Sequence, residues 1–112
     1  MAKVKLRKGL NPLISTGTLG AIQELIVAED LLSSGYAVFR AVSPACSCDL
    51  VRLKDGKLER VEVTTGQITS LGKRTFPIHN PKDYDIIAVV WPDRLISYFP
   101  SAEAKSRASI AS

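Results

Sequence analysis

Asp49 and Glu62 flank an Asp55-Gly56 dipeptide at separations that would set their carboxylates opposite each other on adjacent antiparallel strands. Asp-Gly between two strand-like runs is the strongest short hairpin signal, because a type I′ turn needs positive φ at both central residues. With that turn, Lys54 pairs with Lys57, Leu53 with Leu58, Arg52 with Glu59, Val51 with Arg60, Leu50 with Val61 and Asp49 with Glu62. Alternation then puts Asp49, Val51, Leu53, Leu58, Arg60, Glu62 and Thr64 on one face, and Leu50, Arg52, Glu59, Val61 and Val63 on the other. Arg52 against Glu59 is a favourable cross-strand pair. Asp49 against Glu62 is a like-charge pair that costs stability unless a cation or a proton intervenes. Two readings stand at this point: a divalent ion bridges the two carboxylates, or Arg60, on the same face, neutralises one of them in a surface salt bridge.

The elements that must position this pair are legible in outline. Residues 18–33 read as a helix, with Thr18 as N-cap and Gly35 where a left-handed residue ends it. Its apolar residues Leu19, Ala21, Ile22, Leu25, Ile26, Ala28, Leu31 and Leu32 cover most of the circumference, so the helix is expected to be largely buried. Gln23, Asp30 and Ser34 form a narrow polar stripe. Glu24 and Glu29 fall in apolar sectors, and a carboxylate there must be paired, protonated or bound to a metal. Residues 36–42 alternate as a strand, Ser43-Pro44 breaks it, and the hairpin of residues 49–64 follows. Residues 65–82, with Gly66, Gly72, Pro77, Pro81 and the basic pair Lys73-Arg74, read mostly as loop. Residues 85–91 are a continuous apolar run suited to a central strand, and residues 95–99 pair back as an edge strand after Pro92-Asp93.

With 112 residues, 46% of them hydrophobic, the chain makes one domain with a real core. Residues 1–17 are expected to be a basic N-terminal segment, 18–100 the folded domain, and 101–112, rich in Ser and Ala, a disordered tail. A formal charge of +4 favours an anionic partner such as nucleic acid. No apolar run is long enough to cross a bilayer, and the N-terminal Met1-Ala2-Lys3-Val4-Lys5 lacks the apolar stretch of a secretory signal, so a cytoplasmic protein with no membrane association is expected. Cys46 and Cys48 are the only cysteines and His79 the only histidine. They make an incomplete zinc set, and the cysteines read as reduced, semi-buried thiols. His79, among Pro77, Asn80 and Pro81, reads as a surface residue, and Tyr84, Trp91, Tyr98 and Phe99 as core and edge packing.

Gly20-Ala21-Ile22-Gln23-Glu24, Gly35-Tyr36, Cys48-Asp49-Leu50-Val51 and Arg60-Val61-Glu62-Val63-Thr64-Thr65-Gly66 occur in this order across residues 18–100. The arrangement resembles the PD-(D/E)xK nuclease superfamily, and within it small endonuclease-like and archaeal Holliday-junction-resolvase-like domains. The resemblance implies an α/β fold with a restriction-endonuclease-like core, an N-terminal helix followed by a mixed, mainly antiparallel sheet (α-β-β-β-β-β). It makes Glu24, rather than Glu29, the helical acid. It further implies that Glu24, Asp49 and Glu62, with the Val63 carbonyl, hold Mg²⁺ or Mn²⁺, which polarises a phosphate and activates water. Thr64 stands where the superfamily has its catalytic lysine. A hydroxyl there supplies no charge, and losing one such stabiliser costs on the order of a hundredfold in rate. Lys73 and Arg74 are the nearest cations in sequence that could substitute and contact nucleic acid. The implied function is metal-dependent hydrolysis of DNA phosphodiesters; the alternative is a catalytically inactive nuclease-fold module that binds nucleic acid or a partner protein. Relatives of this kind pair two sites across a homodimer, for which the edge strand at residues 95–99 is the candidate interface.

Overall fold

The structure is a computed structural model that describes residues 13–110, so the expected basic segment lies outside the described residues up to position 12. The first element, α1 (Thr16–Ser33), starts two residues earlier than the sequence suggests. Ser15, not Thr18, is the cap: its hydroxyl oxygen accepts from the Thr18 N–H at 3.1 Å. Replacing it should be felt, and Ser15→Ala is expected to cost about 1 kcal/mol in urea denaturation. The other end follows expectation. Gly35 takes φ +92, and the Tyr36 amide reaches back to the Leu31 carbonyl at 3.0 Å, closing the helix with a left-handed residue.

The helix buries one stripe rather than most of its circumference. Gln23, Val27 and Leu31, four residues apart, face inward, while Leu25 and Leu32 are each 58% exposed. The correction has a simple cause: one sheet covers one side of α1, and among the described residues nothing covers the other.

The main sheet has strand order β1-β2-β3-β6-β7. Strands β1 (Ala37–Arg40), β2 (Leu50–Lys54) and β3 (Lys57–Thr65) run antiparallel, and the β2–β3 register is the one the Asp-Gly turn dictates, from Lys54 opposite Lys57 to Leu50 opposite Val61. Asp55 and Gly56 both have positive φ, 53° and 79°, as a type I′ turn requires. Strand β6 (Ile86–Val90) then joins β3 in parallel, and β7 (Ile96–Pro100) closes the sheet antiparallel to β6. This is the expected helix followed by a mixed, mainly antiparallel sheet. The stretch between β3 and β6 holds a small hairpin of β4 (Gln67–Ile68) and β5 (Arg74–Thr75), and a 3-10 turn at Pro81–Asp83.

Every residue of β6 is buried, because the sheet is covered on both faces. On the α1 face, Val27 and Leu31 pack with Leu50, Val61, Ile86, Ala88 and Val90. On the other face Ile87, Val89, Phe76 and Trp91 pack against Ala104 and Ala108. Those alanines belong to α2 (Ser101–Ile110), a helix where the composition predicts a disordered tail. Alanine has the highest helix propensity and its small side chain lets a helix approach a sheet closely. Ala104 and Ala108 are spaced for one face, and Glu103 and Arg107 pair across the exposed one at 3.6 Å. Among the described residues no helix is long and apolar enough to cross a membrane.

Candidate functional site

The end of β3, the residue before β2 and the middle of α1 bring the three expected acids into one neighbourhood. Asp49 precedes β2, and its N–H donates to the Val61 carbonyl at 3.1 Å. That bond falls one residue short of the ideal Asp49–Glu62 pairing and turns the carboxylate along β3, where Oδ2 accepts from the Val63 N–H at 2.8 Å. Val63 itself sits within β3 opposite Ala88. Glu24 reaches from α1 toward the β1 edge, and its Oε1 accepts from the Arg40 guanidinium at 3.1 Å.

Arg60 does not neutralise Glu62. Its guanidinium pairs with Asp85 at 3.1 Å and donates to the Lys82 carbonyl at 2.9 Å, while its backbone N–H donates to Asp85 Oδ2 at 2.8 Å. These bonds hold the Asp85 carboxyl below the usual carboxylate range. Glu62 meets His79 instead: Nδ1 of the ring lies 3.4 Å from Glu62 Oε2, and Nε2 lies 3.2 Å from the Thr64 hydroxyl. The histidine expected at the surface therefore bridges the acid and the position of the superfamily lysine. The signal that could have placed it is topological. A parallel β3–β6 pair requires a crossover over one sheet face, and His79 lies in that crossover.

The acids interact through their fields. The Glu62 carboxyl, with 15% of its side chain exposed, is pushed up to about 7, first by burial and then by the charges of Asp49, Asp83 and Glu24. Burial also raises Glu24, helped by Asp49 and opposed by Arg40. Mg²⁺ demands near-octahedral oxygen ligation at close range. Among the described residues no three His, Cys, Asp or Glu side chains converge in a way that could hold a metal ion. Each acid is engaged by a partner from the chain itself: Glu24 by Arg40, Asp49 by the Val63 amide, Glu62 by His79. As arranged, the residues do not fit the expected metal shell.

Lys73 and Arg74 are drawn elsewhere. The Lys73 amide donates to Thr69 Oγ1 in the turn of the small hairpin, and Arg74 lies 4.9 Å over the Trp91 ring and 3.7 Å from Asp93. Neither contacts Glu62 or Thr64. The cysteines are free, with sulfurs 3.7 Å apart, and burial pushes the Cys48 thiol up to about 11, which suits an inert neighbour of Asp49 rather than a nucleophile.

Comparison with known proteins places this arrangement. No protein-family model matches the chain. It is 31% identical over 101 residues to protein 5.3 of Escherichia phage T7, across 81% of this chain and 85% of that protein. Its fold is similar to that of a bacterial homing endonuclease, I-Ssp6803I, with a TM-score of 0.71 over 83% of this chain and 74% of the other, at 20% identity. At that identity the likeness is one of fold: the helix and mixed sheet are arranged as in the homing endonuclease.

Proposed function

This chain belongs to the family of protein 5.3 of Escherichia phage T7, and from that premise we propose that it is a nuclease-fold module that binds nucleic acid without cleaving it. The observation that carries the reading is the Glu62–His79–Thr64 chain of contacts. Where the superfamily sets a lysine against a metal-bound phosphate, this chain sets a threonine hydroxyl against an imidazole, and the imidazole also occupies Glu62. Glu24 and Asp49 are likewise satisfied internally. The formal charge of +4 supports an anionic partner, and phosphate contacts by lysine and arginine supply most of such binding.

A second reading, Mg²⁺- or Mn²⁺-dependent cleavage of DNA, is favoured by one observation. Behind burial, the charge of Asp49 raises both Glu24 and Glu62, that of Glu24 adds to the rise of Glu62, and a cation would relieve that repulsion. The similarity to a homing endonuclease supports this reading at the level of fold.

One experiment separates the two. Labelled plasmid-derived duplex and branched DNA are incubated with the protein, with and without Mg²⁺ or Mn²⁺, and followed by anisotropy and by gel. The proposal expects saturable binding that weakens steeply with salt, is independent of the metal and leaves the DNA intact. Cutting that vanishes in both Asp49→Ala and Glu62→Ala would establish the second reading. Absence of binding to either DNA would overturn the first.

A further inference from the structure

A second site lies apart from the acids, where the C-terminal end of β6 turns into β7. An open cavity of about 440 Å³ is lined there by Asp30, Arg74, Trp91, Arg94, Ile96 and Ser97. The turn is closed by the Arg94 N–H, which donates to the Trp91 carbonyl at 2.8 Å, and Arg94 is held at φ +70. Glycine adopts that left-handed conformation with less strain, so an arginine there is a local conflict that backbone preference does not explain. Arg94 is exposed and has no ion-pair partner among the described residues. Arg74, on the same cavity, is fixed over the Trp91 ring.

The remaining walls are equally specific in their hydrogen bonding. Asp30 Oδ2 accepts from the Tyr98 hydroxyl at 2.6 Å, which orients the carboxylate and leaves Oδ1 free to accept a second bond. Ser97 Oγ accepts from Trp91 Nε1 at 2.9 Å, leaving the serine hydroxyl hydrogen free to donate. Ile96 adds an apolar wall. Two guanidinium groups, one without a counter-charge, ask for an anion; Asp30 asks for a hydrogen-bond donor; and the volume lies in the range of pockets that take small organic ligands.

We propose that this cavity binds one nucleotide residue, with its phosphate on Arg94 and Arg74 and an amino-bearing base edge, such as that of cytosine, on Asp30. A carboxylate accepting from the cytosine amino group is a recognised pairing. The choice of ligand rests on the nucleic-acid reading above. The source is either a residue of a bound strand or a free nucleotide, and both share this chemistry.

Trp91, the chain's only tryptophan, reports occupancy directly through its fluorescence. The full chain is titrated with dCMP, dTMP, inorganic phosphate and a short cytosine-rich single strand, each up to about 10 mM for the small ligands, where millimolar binding is visible. A saturable change is expected with dCMP, weaker with phosphate alone. Arg94→Gly should weaken dCMP binding about tenfold or more while leaving the melting temperature unchanged or raised, because the strained φ is relieved. Asp30→Asn keeps the acceptor for Tyr98 but turns the free oxygen into an N–H₂ donor, so the preference should swing from dCMP toward dTMP, whose O4 accepts. No saturable change with dCMP in the wild type, binding indifferent to Arg94→Gly, or a base preference unmoved by Asp30→Asn would each overturn the proposal. The strand arm separates it from the wider reading. A strand bound equally by wild type and Arg94→Gly removes the cavity and leaves nucleic-acid binding intact, whereas dCMP bound without the strand keeps the cavity and removes the strand as its source.

Discussion

Gly66→Ala should destabilise the protein by about 3 kcal/mol, the upper part of the range for forcing atoms into a filled core. Gly66 follows β3 directly, and its N–H donates to the Val90 carbonyl at 2.9 Å, pinning the backbone against β6. A Cβ at this position would overlap the Trp91 ring and lie 2.7 Å from Val89 Cγ1. The ring has nowhere to move: its Nε1 is bonded to Ser97, its face is covered by Arg74, and its edge meets Phe76 with centroids 6.4 Å apart. For a domain of this size the loss corresponds to a fall in melting temperature of about 12 °C. A variant melting within a degree or two of the wild type would mean that Trp91 does not pack on Gly66. The motif glycine at the end of β3 therefore serves close packing.

Glu62→Gln should stabilise the protein at alkaline pH by about 2 kcal/mol and leave it unchanged near pH 4. In the folded chain Glu62 keeps its proton up to about pH 7, against an ordinary value of 4.5, with burial the first cause and neighbouring carboxylates the second. Between those values the unfolded chain binds fewer protons than the folded one, so stability falls as pH rises from about 4.5 to 7 and the penalty is complete above. Glutamine cannot ionise, so the variant should lose that downward slope. It keeps an oxygen near the Glu62 position to face His79, and bulk and burial change little. Urea midpoints measured at several pH values check this directly: parallel curves for wild type and variant would show that Glu62 ionises freely and that the acids do not repel one another.

The parts of the fold that are legible in the sequence are those where local chemistry dictates geometry. Asp55-Gly56 admits one turn type, so the register from Lys54–Lys57 to Leu50–Val61 follows without tertiary information. The apolar run of β6 announces a strand buried on both faces. Residues whose role depends on what packs over them are not legible. The stretch at 101–110 resembles low-complexity sequence, because Ala104 and Ala108 bury a helix with hardly any apolar bulk, although the Glu103–Arg107 spacing carries a faint helical signal. Gln23 falls on a polar stripe of the helix, yet it is 3% exposed and its Oε1 accepts from the Thr65 hydroxyl at 2.7 Å. Which side of α1 the sheet covers cannot be read from a helix apolar on nearly every side.

The same contrast holds at the site. Asp49 and Glu62 stand out by type and spacing and Glu24 by the resemblance, and behind burial the charge of Asp49 raises both glutamates. Their actual partners are out of reach of local pattern. Arg40 lies sixteen residues from Glu24, and His79 lies fifteen from Thr64, brought back only by the crossover into β6. Arg60, which one of the two sequence readings set against a carboxylate of the Asp49–Glu62 pair, is engaged instead by Asp85, which caps the start of β6 and binds its backbone and side chain together. Proximity along a strand is a weaker guide here than the geometry of the crossover.

Arg40, the Val63 amide and His79 partner the three acids, and the function proposed above has no metal ion join them. Titration of the full chain with Mn²⁺ and Mg²⁺ at about pH 7.5, where most of Glu62 has lost its proton, puts this to the test by calorimetry and by melting temperature, with Asp49→Ala as the control. No saturable heat is expected, and no rise in melting temperature beyond that of the control. Saturable binding with a rise of several degrees that disappears in Asp49→Ala, as for a ligand that binds only the folded state, would show instead that the acids form a metal site.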